Sequence, residues 1–116
     1  MKSVLNWLKR RIARSGNIVG TTDILARTFL TMEHKYPNEG RKRWYERVVD
    51  FRYEEIDLNS TKKLLIKSQI SETLPFEEFV WAVLMAELDI NHTTKDFQEM
   101  AFTEVRSTLS KYDGLR

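Results

Sequence analysis

The spacing of apolar side chains predicts helices along most of this 116-residue chain. Near the start, Val4, Leu8 and Ile12 recur every four residues, which is the repeat of one helix face. Ser3 is a suitable N-cap, and Gly16 is a residue type that commonly ends a helix. The sequence therefore predicts a first helix between these two residues.

A second helix is predicted after a short linker at residues 17–20. Thr21 or Thr22 can cap its start, because a side-chain oxygen there accepts a hydrogen bond from a free amide of the first turn. Residues 37–40 then break the helix, since their proline and glycine disfavour its continuation. Its predicted buried face consists of Leu25, Phe29, Met32 and Tyr36.

The segment that begins at Arg41 carries two patterns at once. Apolar residues spaced for a helix run through it, but Val49, Phe51 and Tyr53 alternate with charged residues, which is typical of a strand. We favour the helix, because an isolated two-stranded hairpin is marginally stable in water and the sequence predicts no third strand. A β-hairpin over about residues 48–70 is the alternative for this segment.

A short helix at about residues 61–68 accompanies the helical interpretation of the preceding segment. Leu64 and Leu65 are its first large apolar side chains, and Ile66 follows them directly. We expect these three residues to face the interior, because a helix this short is stabilised mainly by the apolar surface that it buries.

The most apolar helix is predicted at Phe76–Leu88. Thr73 can cap its start, and Pro75 is tolerated in the first turn. Apolar residues lie on nearly every side of this segment, a pattern typical of a helix buried at the centre of a bundle. Trp81 or Leu84 is therefore expected to contact the apolar faces of the second and the last helix.

The last helix is predicted to begin at Thr93 or Thr94, either of which can act as its N-cap. Asp113 and Gly114 follow its final apolar residue, and a glycine at that position commonly ends a helix. Together these elements predict an all-α fold, a compact bundle of five or six helices that forms a single domain over residues 1–116. The predicted buried face of the last helix consists of Phe97, Met100, Ala101, Val105, Leu109 and Tyr112.

Composition narrows the class of protein. The chain contains no cysteine, so disulfides, cysteine-ligated zinc and thiol nucleophiles are excluded. The longest apolar run, residues 79–86, is much shorter than the roughly 20 residues that span a bilayer. Bases at residues 9–11 interrupt the first apolar stretch, which therefore does not resemble a secretory signal. We expect a cytoplasmic protein without a transmembrane segment.

Charge is distributed unevenly along the chain. The part up to Arg47 has eleven bases and four acids, whereas the remainder has eight bases and thirteen acids. Between Glu72 and Glu104, eight acids accompany a single base, Lys95. This asymmetry predicts either partners of opposite sign or head-to-tail self-association.

The candidate partner-binding residues lie in the basic part of the chain. Trp44 adds an aromatic ring to the second group of bases, and aromatic and arginine side chains are enriched at interface hot spots. Bases around an apolar stripe also occur in helices that lie on membranes, so contact with a membrane surface is a further hypothesis. The candidates are Lys9, Arg10, Arg11 and Arg14 in the first helix, and Arg41, Lys42, Arg43, Trp44 and Arg47 in the third.

The sequence lacks the common catalytic and metal-binding motifs. No glycine-rich phosphate loop, G-x-S-x-G motif or H-E-x-x-H motif occurs. Asp89, Asn91 and Thr93 alternate as calcium ligands do in an EF-hand. However, Thr94 stands where that loop needs glycine, and Met100 stands where it needs glutamate. We expect no enzyme activity, cofactor or metal site.

The function that these observations favour is a non-catalytic protein-interaction or regulatory module, with a basic N-terminal half and an acidic C-terminal half. Its predicted partner is another protein with an acidic surface, which would contact the basic residues. Nucleic acid is the alternative partner, because phosphate groups attract the same arginine and lysine side chains.

Overall fold

The described residues form five α-helices and one short 3₁₀ helix, and they contain no strand. A computed structural model describes the backbone at residues 2–54, 60–112 and 114–115, and the side chains at 17–54, 61–112 and 114–115. The predicted all-α bundle is confirmed. No helix of the described chain is both long enough and apolar enough to cross a membrane. The helices are α1 (Lys2–Lys35), α2 (Arg41–Arg52), α3 (Ser60–Lys67), α4 (Phe76–Leu88), the 3₁₀ helix (Ile90–His92) and α5 (Lys95–Leu109).

α1 is one continuous helix where two were predicted. Helical backbone runs through Gly16 and residues 17–20, so the predicted linker and the predicted cap at Thr21 or Thr22 were wrong. Thr22 instead donates a hydrogen bond from its hydroxyl to the carbonyl of Ile18, one turn earlier, at 2.7 Å. Because Ile18 is fully buried, continuing the helix adds apolar burial that offsets the roughly 1 kcal/mol cost of a helical glycine.

α2 confirms the helical interpretation of the segment that also resembled a strand. Val49 and Tyr53 are buried one turn apart, and the Tyr53 amide donates to the Val49 carbonyl at 3.0 Å. Phe51 lies between them in sequence but is 62% exposed, whereas a strand would place all three on one face. The described part of residues 48–70 therefore forms no hairpin, and residues 55–59 lie outside the described residues.

α3 packs against α2 and α4 through a different face from the one expected. Ile66 is fully buried, but Leu64 and Leu65 are 68% and 52% exposed, so the prediction that these leucines face inward was wrong. Successive residues on a helix point about 100° apart, and burying Ile66 therefore turns its two neighbours away from the core. Lys67 holds this orientation by binding the Asp50 carboxylate of α2 at 2.7 Å.

α4 lies in the core, as predicted. Leu84 is fully buried, and Trp81 is partly buried against the core. The helix begins at Phe76 with Pro75 as its N-cap, so the prediction that Thr73 caps it was wrong. Proline suits the N-cap because its restricted φ, here −61°, is compatible with the extended backbone that precedes a helix.

α5 begins at its predicted N-cap and packs against α1 and α4. The Thr94 hydroxyl accepts a hydrogen bond from the Phe97 amide at 3.2 Å. Ala101, in the middle of the predicted buried face, is fully buried. Beyond the helix, the Tyr112 hydroxyl donates a hydrogen bond to the Asp23 carboxylate of α1. This bond joins the end of the described chain to the first helix.

Four buried rings lie where α1, α2 and α4 meet, and we call them the interior aromatic cluster. The rings of Tyr45 and Phe79 stack with their centroids 4.4 Å apart, and Phe29 and Phe76 lie 5.2 Å apart. The Tyr45 hydroxyl donates to the carbonyl of Leu74 at 2.6 Å, so the one polar atom among the rings is satisfied. This cluster fixes the positions of three helices relative to one another.

Candidate functional site

The sequence-predicted bases fall into two groups with different outcomes. Lys9, Arg10, Arg11 and Arg14 belong to α1, but their side chains lie outside the described residues. The second group belongs to α2, where the surrounding contacts of each side chain are described. These side chains differ in how many hydrogen bonds and ion pairs they already make within the bundle.

Arg41 and Arg47 are engaged by neighbouring groups of the bundle. The Nε of Arg41 donates to the Tyr45 hydroxyl at 2.9 Å and to the Leu74 carbonyl at 3.2 Å. Arg47 binds both carboxylate oxygens of Glu39 at 2.6 Å, and this hydrogen bonding lowers the pKa of Glu39. A partner that bound either arginine would have to compete with these contacts.

The remaining members of the second group divide in the same way. Trp44 is partly buried, its Nε1 donates to the Tyr36 carbonyl at 2.9 Å, and its ring meets that of Phe29 edge-on. Lys42 and Arg43 are exposed. Arg43 lies 3.6 Å from the Glu46 carboxylate in an exposed ion pair, so Lys42 is the base of this patch that has no ion pair among the described residues.

A stacked pair of aromatic rings lies at the surface between α4 and α5. The ring centroids of Trp81 and Phe102 are 5.9 Å apart, with an angle of 21° between the ring planes. The Arg106 guanidinium lies over the Phe102 ring, 4.3 Å from its centroid. Met85 follows Trp81 by one helical turn on α4 and, like Phe102, is 37% exposed. We call Trp81, Met85, Phe102 and Arg106 the aromatic shelf.

Polar residues surround the aromatic shelf. A shallow cavity of about 650 Å³ opens over the two rings and is also lined by Lys95, Gln98, Glu99 and Thr103. Arg106 is bound by Glu77 at 3.0 Å, which neutralises its charge. The shelf is therefore an apolar centre with a polar edge.

The edge of the shelf carries more negative than positive charge. Glu78 precedes Trp81, and Glu99 precedes Phe102, each by about one helical turn, and both acids are exposed. Within the described chain, neither of them is in an ion pair, and Lys95 is the nearest unpaired base that lines the same cavity. The edge therefore favours a partner with positive charge.

The aromatic shelf was not predicted from the sequence. Trp81 belongs to the apolar run of α4, which was predicted to be buried on nearly every side. Phe102 was not assigned to the buried face of α5, although it follows Ala101 directly. Phe102 is an aromatic residue on the polar face of an amphipathic helix, and this could have indicated an exposed site.

A second cavity, of about 510 Å³, lies where α1, α2, α3 and α4 meet, and we call it the polar cleft. Its charged residues are held by an ion pair in which Arg52 donates from Nε and one Nη to the two oxygens of Glu87, at 2.5 and 2.6 Å. The Tyr53 hydroxyl donates to the same carboxylate. The cleft is lined by Asn17, Thr21, Arg52, Tyr53, Lys62, Glu87 and Leu88.

The protonation states in the polar cleft follow from these bonds. Burial raises the pKa of Glu87, but hydrogen bonds from Arg52 and Tyr53 outweigh it, and the pKa lies below its ordinary value. Burial raises the pKa of Tyr53, and the neighbouring Glu87 carboxylate raises it further. At neutral pH the three groups are therefore a carboxylate, a protonated phenol and a guanidinium cation.

No comparison with known proteins assigns a chemistry to either surface. No protein-family model, no curated protein and no solved structure matches the chain. In the described part of the chain, no group of three or more His, Cys, Asp or Glu side chains comes together to hold a metal ion. The shapes and charges of the two surfaces are therefore what indicates a function.

Proposed function

We propose that this chain is a non-catalytic protein-interaction module that binds a basic amphipathic helix of its partner on the aromatic shelf. The observation that carries the proposal is the stacked pair in which the exposed Phe102 ring lies against Trp81, itself partly buried against the core. Clustered exposed apolar groups with a polar edge are typical of protein-interaction sites.

The residue types of the shelf suit an interface. Tryptophan and arginine are the side chains most enriched at interface hot spots, and methionine adapts to partners of different shape. The Phe102 ring is already held between Trp81 and Arg106, at 5.9 and 4.3 Å. Because these side chains are ordered before binding, they lose less conformational freedom when a partner arrives.

The charge around the shelf defines the chemistry of the partner. Glu78 and Glu99 are exposed beside the rings, and the whole stretch between Glu72 and Glu104 has eight acids and one base. A helix with an apolar face and flanking lysine or arginine residues would place its apolar groups on the rings and its bases against these acids.

The absence of catalysis is part of the same proposal. Arg52 and Glu87, the half-buried ionisable groups of the polar cleft, bind each other and are not poised as a free acid or base. The two histidines, His34 and His92, are exposed on different helical elements. These arrangements favour binding over proton transfer.

The bases predicted from the sequence support a second candidate function, the binding of nucleic acid or of an acidic protein surface. Lys42 and Arg43 are exposed in the first turn of α2, where a phosphate or carboxylate could reach them. This candidate ranks second because Arg41 and Arg47, the other bases of the group, would have to give up their present contacts.

Peptide binding tests the proposal directly. A fluorescently labelled peptide with the sequence of residues 1–16, which is basic and amphipathic, is titrated with the full chain and followed by anisotropy. We expect saturable binding, and we expect Phe102→Ala to weaken it roughly five- to thirtyfold, since loss of a hot-spot ring costs about 1–2 kcal/mol. Phe51→Ala is the matched control, because Phe51 is an exposed phenylalanine on α2.

Charge reversal and a shuffled peptide complete the test. Glu78→Lys and Glu99→Lys should weaken binding, whereas Glu54→Lys, at an exposed site after α2, should not. A peptide of the same composition without the apolar stripe should bind poorly. Equal losses with Phe102→Ala and Phe51→Ala, or no binding at millimolar protein, would contradict the proposal. Tight binding of a single-stranded oligonucleotide that Lys42→Glu abolishes would favour the second candidate.

A further inference from the structure

We infer that the polar cleft is a binding site for a small organic anion, a carboxylate or a phosphate monoester. The site is separate from the aromatic shelf, since it is lined by residues of α1, α2, α3 and the end of α4. Its volume of about 510 Å³ is within the 300–1,000 Å³ range of small-molecule pockets.

Among the described residues, one positive charge of the cleft has no ion pair. Arg52 and Glu87 form a neutral pair, so neither contributes net charge. Lys62 lines the cleft, and its charge helps to lower the pKa of Glu87, but it makes no ion pair within 4.0 Å in the described part of the chain. A single anionic group on the ligand would neutralise the charge of Lys62.

The Arg52 side chain retains donors for a ligand. Its Nε and one Nη are occupied by the two oxygens of Glu87. Arg52 also interacts with the neighbouring Tyr53 side chain, and no further described residue bonds its other Nη. The two parallel hydrogen bonds to Glu87 fix the plane of the guanidinium. The remaining N–H groups are therefore held in one orientation before a ligand binds.

Two uncharged side chains of α1 add further hydrogen-bonding groups. Thr22, Thr31 and Thr103 each donate to the carbonyl four residues earlier, which is the usual bond of a threonine within a helix. Thr21 makes no such bond within the described chain, although it is on the same helix as Thr22. The side-chain amide of Asn17, which lies one turn before Thr21, is likewise unbonded among the described residues.

The donors of the cleft therefore outnumber its free acceptors. The second Nη of Arg52 and the Lys62 ammonium only donate hydrogen bonds, the Thr21 hydroxyl and the Asn17 amide can both donate and accept, and the oxygens of Glu87 already accept bonds from Arg52 and Tyr53. An oxyanion such as a carboxylate or phosphate is an acceptor with several lone pairs, and it matches this set.

A titration monitored by two-dimensional ¹H–¹⁵N NMR tests the inference. Inorganic phosphate and succinate are the probes, and sodium chloride of equal ionic strength is the reference. We expect saturable shifts confined to the side-chain amide of Asn17, the Nε–H of Arg52 and neighbouring backbone amides. Lys62→Gln should weaken binding roughly tenfold, the effect expected for a lost charge-assisted hydrogen bond, and Thr21→Val should weaken it less.

Lys111→Gln is the matched control, because it removes the same charge from an exposed lysine beyond α5. Lys62 is itself exposed, so Lys62→Gln should keep the native pattern of amide peaks. Equal weakening by Lys62→Gln and Lys111→Gln would show general charge screening and overturn the inference. Shifts centred on Lys42 and Arg43, or no shifts from either probe at tens of millimolar, would overturn it as well.

Discussion

The interior aromatic cluster and the aromatic shelf use the same kind of contact in two different surroundings. Tyr45 and Phe79 stack at 4.4 Å with 29° between their planes, and Trp81 and Phe102 stack at 5.9 Å with 21°. The first pair is fully buried between helices, whereas Phe102 is 37% exposed. Ring stacking alone therefore does not distinguish a core from an interface, and what covers the rings decides their role.

The largest expected effect is in the interior aromatic cluster. Phe79→Ala should lower the free energy of unfolding by about 3–5 kcal/mol, because the removed ring is fully buried and leaves a cavity beside Tyr45 and Phe76. Urea denaturation followed by circular dichroism measures this loss. A loss below about 1 kcal/mol would mean that the cluster does not hold the three helices together. The cluster and the shelf would then not differ in their contribution to stability.

An intermediate effect is expected at the ion pair of the polar cleft. At neutral pH, Glu87→Gln should lower the free energy of unfolding by about 1–3 kcal/mol. This is less than a fully buried pair would lose, because the side chains of Arg52 and Glu87 remain 22% and 19% exposed. Glu99→Gln, at an exposed acid without an ion pair among the described residues, should change the unfolding free energy little.

The effect of Glu87→Gln should also depend on pH. The pKa of Glu87 is lower in the folded state than its ordinary value of 4.5. Between these two values the unfolded chain binds more protons, so the stabilisation by Glu87 is complete above about pH 4.5 and is lost as the pH falls through the folded pKa. Unfolding curves of the two proteins should therefore converge at acid pH, and a difference that stays constant down to pH 2 would contradict this account.

The smallest effect on stability is expected in the aromatic shelf. Phe102→Ala should lower the free energy of unfolding by less than about 1 kcal/mol, since the ring is partly exposed and its loss opens no buried cavity. The same denaturation experiment measures it. A loss comparable to that of Phe79→Ala would show that the shelf belongs to the core, and the proposed interface would lose its support.

Helical periodicity predicted the fold where a whole element followed one pattern. The helix through Phe76–Leu88 and a threonine cap of α5 were predicted from local residue types, and both are confirmed, although α4 begins after Pro75 and not after Thr73. The break at Gly16 and the burial of Leu64 and Leu65 were wrong, because tertiary packing decided them. The burial of Ile18 stabilises α1 across its glycines, and Ile66 is the residue that α3 buries, which leaves its neighbours exposed.

The candidate site was harder to predict than the fold. Arg41 and Arg47 were predicted as binding residues because bases are dense in that part of the sequence. However, Leu74 and Glu39, which accept hydrogen bonds from them, lie outside α2 and contact them only in the folded chain. The polar cleft combines four helices, so no local motif indicates it. Residue types report what a side chain can do, whereas its neighbours determine whether it is free to do so.

The packing of α5 on α1 has a consequence for synthesis on the ribosome. The hydrogen bond from Tyr112 to Asp23 spans 89 residues, and α5 covers α1 only after the last of them has emerged. At translation rates of roughly 5–20 residues per second, the α1 surface stays open for on the order of 4–18 seconds. During that interval the nascent chain presents to chaperones the face of α1 that α5 later covers. A ribosome stalled before α5 would therefore hold a chain prone to aggregate.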